Sequence, residues 1–377
     1  MKANFILLLA VVAFLLPGRA YATTVPLTDF EKRLSETFDI SSDGRVSLDN
    51  RYGEIKVVTW SQPRVKIDVL IKVQASDKDE FEKVLERIDV SLRGGGNSVS
   101  ATTTIGSGNN NSWWSFITGG NSNDDFKIYY TVTMPATVRL DVEAKYCDVE
   151  LPSLSGATVL NVGYGDLVAG KLTAATEMSI SYGSARVEQV GTNSLVKLRY
   201  SEGSFRNAGE LRYDGRYSEV RFGTVRGVLR LDVGYEEIDV QSATEIRLNG
   251  NYNELSVERV DRVYLDGNYT EFELGTVTQV LEVDASYGDV EVGSLLAGFD
   301  HVDIRASYTD VQIDVANEAG YTLDLSARYG DIDAPTGELS PRNVANESNT
   351  ESVKGTKKGS GSGLIKVTTN YGDIEVY

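Results

Sequence analysis

The sequence predicts an all-β chain: a single-stranded parallel β-helix, right-handed, with about 17–21 residues per coil and an amino-terminal β-rich cap containing one helix. Three observations carry this. Tyrosine recurs at 146, 164, 182, 200, 217, 235, 252, 269, 287, 308 and 329, in steps of 17 or 18 that lengthen to 21 at the end. The phrase Tyr-Gly-Asp returns at Tyr164, Tyr287, Tyr329 and Tyr371. An alternating apolar run leads into each tyrosine, as in Leu281-x-Val283-x-Ala285-x-Tyr287. A fixed period of this length marks a solenoid, in which a coil buries its apolar face only against its neighbours.

Residues 1–22 read as an export leader. Lys2 supplies the positive start, Phe5 to Leu16 the apolar run, and Ala20-Tyr21-Ala22 the cleavage site. The apolar run is too short to span a bilayer as a helix, and no cysteine follows it to carry a lipid. The expected product is exported, to the periplasm or the cell surface, without a transmembrane span. Without Lys2 and Arg19 the chain keeps 35 basic against 55 acidic side chains, a net charge of −20. Such a chain repels phosphate backbones, so no nucleic-acid partner is expected. One cysteine, Cys147, and one histidine, His301, are too few for a disulfide, a thiolate or imidazole metal centre, or Cys/His catalysis. No metal, cofactor or catalytic residue is therefore assigned.

Residues 23–135 read as the cap. Asn50-Arg-Tyr-Gly-Glu-Ile-Lys-Val57 already carries the repeat phrase, but the period then stops until Tyr146. In between, Val65 to Val73 alternates as a strand. Ser76 or Asp77 can cap a helix with Phe81, Val84, Leu85 and Ile88 on one face. Further strands are expected near Ile88–Leu92, Val99–Ile105 and Phe126–Met134, the last ended by Pro135. A cap is physically needed, because an open solenoid end templates aggregation. A loop rich in Gly, Asn and Ser, 106–125, carries Trp113, Trp114, Phe116 and Ile117. These four either tuck back onto the cap or form a contact tip for glycan, lipid or protein.

The solenoid is expected over 136–377. Strand parity puts two apolar residues, a small residue and the tyrosine on one face. Forward of the tyrosine the parity changes, as with Val290 and Val292 after Tyr287, which places a corner at Gly-Asp. Coils stacked at about 4.8 Å carry the tyrosines in a ladder (Tyr146, Tyr164, Tyr182, Tyr200, Tyr217, Tyr235, Tyr252, Tyr269, Tyr287, Tyr308, Tyr329 and Tyr371), giving a rod on the order of 60 Å. Ring stacking adds ~0.5–1.5 kcal/mol per pair.

Two residues after nearly every tyrosine stands an acid: Glu202, Glu219, Glu237, Glu254 and Glu271 among them. This row is either a divalent-cation stripe or a set of corner-stabilising hydrogen bonds, solvated and interleaved with Arg51, Lys145, Arg199, Arg216 and Arg328. The free exchange of Asp and Glu favours the second. Three-residue insertions near Leu296 and Asn317 explain the 21-residue steps. A mobile insertion at 336–363 separates Tyr329 from the closing strand Leu364–Tyr377.

On Asn50 to Val57 followed by Trp60, the strand ending at Met134-Pro135, and the recurring Tyr-Gly-Asp-Ile/Val-x-Val, the chain resembles the bacterial putative-adhesin family of exported β-solenoid domains. The resemblance covers nearly the whole exported chain and implies a fold but no catalytic residues. The expected function is non-catalytic: binding or scaffolding in the cell envelope, with an envelope protein or glycan as partner. The alternatives are a polysaccharide-acting β-helix enzyme and a rod that self-associates through its solenoid ends.

Overall fold

A computed structural model describes residues 27–106 and 125–377. The chain is one continuous β-solenoid, capped at both ends. In the cap, β1 (Thr28–Asp39), β2 (Arg45–Trp60), β3 (Arg64–Ala75), α1 (Lys78–Leu85), β4 (Ile88–Gly95), β5 (Ser98–Ile105) and β6 (Asp125–Pro135) precede β7 (Arg139–Leu151). β2 is already a coil. It pairs in parallel with β7, Arg45↔Arg139 through Lys56↔Glu150. The first half of β2 also pairs with β5 and its second half with β6. β4 lies antiparallel on β5, β3 on β6, and β1 on β3. Both solenoid faces are thus prolonged by antiparallel strands, which end the parallel ladder without leaving its first coil open.

The helix forms where the sequence places it. Asp77 Oδ1 accepts from Glu80 N at 2.9 Å, and Ser76 N donates back to Glu80 Oε2 at 2.7 Å, so both candidate capping residues take part. Phe81 and Val84 are buried, and Phe81 stacks on Phe30 of β1 at 5.2 Å. Ile88 departs from expectation by opening β4 instead of extending the helical face.

Beyond β7 the coils repeat in register. Thr158–Gly163 pairs with Thr176–Ser181, and that strand with Ser194–Arg199. After each corner Asp166–Leu172 pairs with Ser184–Val190, and this with Glu202–Ala208. A bridge from Leu154 to Leu172 marks the third side. From Leu211 to Leu295 the strand is unbroken through five of the repeat tyrosines. The interior is a narrow apolar column, including Leu160, Met178, Val196, Phe205, Phe222, Leu248, Leu265, Val283 and Ile304.

The carboxyl end departs from chain order. The strand Ser360–Asn370 lies between His301–Val315 and Ala319–Arg328, parallel to both. Two coils that follow one another in sequence are therefore separated in space by the closing strand. The segment 336–363, expected as a loop, instead carries a 3-10 turn (Thr336–Glu338) and a hairpin, Arg342–Glu347 with Thr350–Lys357. Thr350–Lys357 lies antiparallel on Ala319–Arg328 and covers the final parallel edge.

Candidate functional site

The candidate site is built at the tyrosine corner. All thirteen repeat tyrosines, from Tyr52 to Tyr371, have φ between 52° and 60°, the left-handed region. This corrects two sequence expectations. The corner is at the tyrosine itself, not at Gly-Asp, and the ring does not follow the apolar parity into the core. A left-handed residue interrupts the strand alternation. The side chain swings outward, and the next residue points in: Cys147, Ser201, Glu236, Asn253, Thr270 and Thr309 are all buried. Where that residue is glycine, the coils approach closely. A Cβ on Gly183 would stand 2.0 Å from the Gly165 carbonyl oxygen.

The outward rings form one stack. Successive centroids are 4.7–5.2 Å apart and interplanar angles 1–19°. Its spatial order ends Tyr308, Tyr371, Tyr329, following the threaded closing strand. Phe126 closes one end, edge-on to Tyr52 at 5.7 Å. Arg328 lies over Tyr329 at 5.2 Å at the other. Each central tyrosine is about half exposed, 51% at Tyr235. Left-handed backbone costs a non-glycine residue ~1–2 kcal/mol, and stacking on both sides offsets about that amount. Tyrosine recurs because its ring repays the corner it occupies.

Backbone groups at the corner are satisfied by side chains of adjacent coils. Inside, Ser201 N donates to Ser218 Oγ, Ser218 N to Glu236 Oε1, and Glu236 N to Asn253 Oδ1, at 3.0–3.1 Å. Outside, Asp148 Oδ1 accepts from Asp166 N, and Asp166 Oδ1 from Ser184 N. Asp310 and Asp373 do the same for Asp373 N and Asp331 N at 2.8 Å. The acid row is thus partly a row of corner braces, each reaching the next coil.

Arg221 pairs with Glu219 of that row, but Arg199 and Arg216 lie across the ladder and do not join it. They pair with Asp214 at 2.9 Å and Asp232 at 2.7 Å, respectively. Glu237, Glu254 and Glu271 consequently face one another. The carboxyl of the exposed Glu254 is held above its ordinary value, first by desolvation and then by the charges of Glu237, Glu271, Glu273 and Asp239. Between phenols and acids runs an open groove. One stretch of about 750 Å³ is lined by Tyr200, Tyr217, Tyr235, Glu202, Glu219 and Glu237. The next, about 490 Å³, is lined by Tyr252, Tyr269, Tyr287, Glu254 and Glu271.

Trp113, Trp114, Phe116 and Ile117 lie outside the described residues, as does the leader. Among the described residues, no group of three or more His, Cys, Asp or Glu is placed to hold a metal ion, and no helix is long and apolar enough to cross a membrane. His301 is half-exposed and sits 3.0 Å from Glu282. Sequence reasoning missed two features: the outward turn of the rings, and the buried acid Glu236. Only the second left a signal, an acid where other coils carry Gly, Ser or Thr.

Residues 68–377 match the family described as Toastrack DUF4097, and the chain belongs to it. No curated protein matches the chain. Among solved structures, it is similar to a putative cell adhesion protein of Clostridium sporogenes, at 7% identity and TM-score 0.21, covering 92% of this chain and 99% of that one. A putative adhesin of Parabacteroides distasonis shares 10% identity at TM-score 0.30, covering 92% and 97%. A putative lipid binding protein of the same species shares 11% at TM-score 0.27, covering 92% and 96%.

Proposed function

We propose that this chain is an exported, non-catalytic envelope protein, adhesin-like in use, whose rigid solenoid binds an extended envelope polymer along the tyrosine corner. One observation carries the reading. Half-exposed phenols repeat every 4.7–5.2 Å beside a row of acids, of which Glu237, Glu254 and Glu271 have no basic partner among the described residues, so this part of the groove presents the same chemistry at each coil. A repetitive surface suits a repetitive partner, because each added unit gains the same contact at little further ordering cost. The exposed ring edges and phenol hydroxyls contact apolar and polar groups of a sugar or peptide chain, and the carboxylates accept hydrogen bonds or pair with cations. Trp113, Trp114, Phe116 and Ile117 form a second contact in this reading, on the strength of the sequence alone.

The test is retention of envelope glycan and protein fractions by the immobilised chain. Glu237→Gln, Glu254→Gln and Glu271→Gln combined remove the charge without removing a corner brace. Retention should fall several-fold. Unchanged retention by this variant removes the groove from the proposal, and unchanged retention by Trp113→Ala with Trp114→Ala removes the loop.

A further inference from the structure

The first strand of the cap presents a long edge. β1 spans twelve residues and pairs with β3 on one side. Among the described residues no strand pairs with its other side. Its side chains alternate between two faces, and one face reads Phe30, Lys32, Leu34, Glu36, Phe38. The three apolar members pack partly on the core. Lys32 and Glu36 are exposed and have no ion-pair partner among the described residues. The neighbouring charges differ: Glu31 is already held by Arg33 at 2.7 Å and by Lys72 at 3.7 Å.

That row is a palindrome in size and reverses sign in charge, so it is complementary to its own reverse. Laid antiparallel on a second copy of itself with Leu34 opposite Leu34, it puts Lys32 opposite Glu36 twice and Phe30 opposite Phe38 twice. No nearby register does this. Moving the centre to Arg33 sets arginine against arginine, and centring on Ser35 sets Lys32 against Phe38 and Leu34 against Glu36. Centring on Lys32 or Glu36 opposes like charges. Directly opposed residues on antiparallel strands carry most of the pairing energy, so register is decided here. Charges on an edge strand usually prevent association. A protective edge would repel a copy in every register, whereas this one has a single attractive alignment, with Asp29 opposite Asp39 only at its frayed ends.

We propose that the outer edge of β1 is a homodimer interface, in which two copies pair antiparallel about Leu34 and join two cap sheets into one. The rods then point away from a common two-fold axis, with the tyrosine grooves left open. This inference does not depend on what the groove binds.

The test is the mass of the purified chain by sedimentation and light scattering across a concentration series. Wild type should be a dimer. Lys32→Glu and Glu36→Lys should each weaken it about ten-fold or more, because both copies of the pair become repulsive. Mixing the two variants should restore a dimer, since the all-acidic edge of one then faces the all-basic edge of the other at both opposed sites. Lys32→Glu with Glu36→Lys in one chain should also restore it, with the two charges exchanged. Unchanged circular dichroism and thermal midpoint in the single variants show that the fold is intact. A monomeric wild type, single variants that dimerise as wild type does, or a mixture that fails to associate would each overturn the proposal.

Discussion

The phenol of Tyr213 donates to Glu236 Oε2 at 2.7 Å inside the solenoid, over a position that only Gly215 can occupy. A Cβ at Gly215 would meet both the Tyr213 ring and the Glu236 carboxyl, at 2.4 and 2.6 Å. Burial is the largest influence on this carboxyl and pushes its pKa up to about 7. Hydrogen bonds from Tyr213 and Ser218, and the charges of Arg199 and Arg216, pull the other way without restoring the usual value.

The raised value has a definite consequence for stability. Between about pH 4.5 and 7 the folded chain holds a proton on Glu236 that the unfolded chain has lost. Stability from this group is therefore full below the unfolded value and declines as pH rises through the folded one, by on the order of 3 kcal/mol. Glu236→Gln keeps one acceptor, for Ser218 N, turns its NH2 donor toward the Tyr213 hydroxyl, which then accepts, and removes the titration. Thermal unfolding should show the variant more stable than wild type at about pH 8, with the gap closing as the pH falls below the ordinary carboxylate range. A gap independent of pH would mean that the carboxyl is not the titrating group.

The tyrosine corner gives a second prediction. At Tyr235, φ is 59° and the ring stacks at 4.8 Å on both Tyr217 and Tyr252. Tyr235→Phe keeps the stack and should change stability by less than about 0.5 kcal/mol. Tyr235→Gly loses two stacks but relieves the backbone, for a net loss of about 1 kcal/mol. Tyr235→Val loses the stacks and adds a β-branched side chain at positive φ, for a loss on the order of 3 kcal/mol. Denaturant unfolding gives the order directly. Valine ranking above glycine would show that the corner is not left-handed.

These residues also show what the sequence could and could not say. The period of tyrosine gave the stack, its register and the number of coils, because side chains at the same place in successive coils must meet. It could not give the direction of the ring. Even-spaced apolar residues before Tyr287 extrapolate inward, and only a backbone torsion reverses that. The insertion of the closing strand between earlier coils was equally invisible, since Tyr371 carries the same phrase wherever its coil is stacked. β1 escaped notice because Phe30, Leu34 and Phe38 recur every fourth residue, a spacing that suggests neither a clean strand nor a full helical face. The groove was half legible: its acids were counted, but their separation from Arg199 and Arg216 by the ladder needed coordinates.

Cys147 yields a third prediction. It is buried beneath the first corner, within 3.5 Å of Asn50 Nδ2. Burial pushes its pKa up to about 12, and the amide contact offsets this only in part. A thiol that remains protonated and shielded is a poor nucleophile. A disulfide reagent should leave the folded chain unmodified at about pH 8 and label it within minutes in denaturant. Rapid labelling of the folded chain would mean that the first coil opens locally.

The last prediction separates the two parts of the carboxyl-terminal cap. The hairpin 342–357 covers an edge, whereas the strand 360–376 sits within the stack, with Ile365, Val367 and Ile374 fully buried. Replacing 342–357 by a short Gly-Ser link should leave amide protection at Val302–Ser307 near wild type, because the ladder to Leu364–Asn370 survives. It should also expose the edge Tyr321–Arg328 and cause concentration-dependent association. Ending the chain before Leu364 removes the middle ring of Tyr308, Tyr371 and Tyr329 and uncovers two coils at once. Protection at Val302–Ser307 should then fall by several orders of magnitude as these coils fray. Hydrogen exchange distinguishes this arrangement from a stack in chain order. In that case the second truncation would touch only the outermost coil, and Val302–Ser307 would keep its protection.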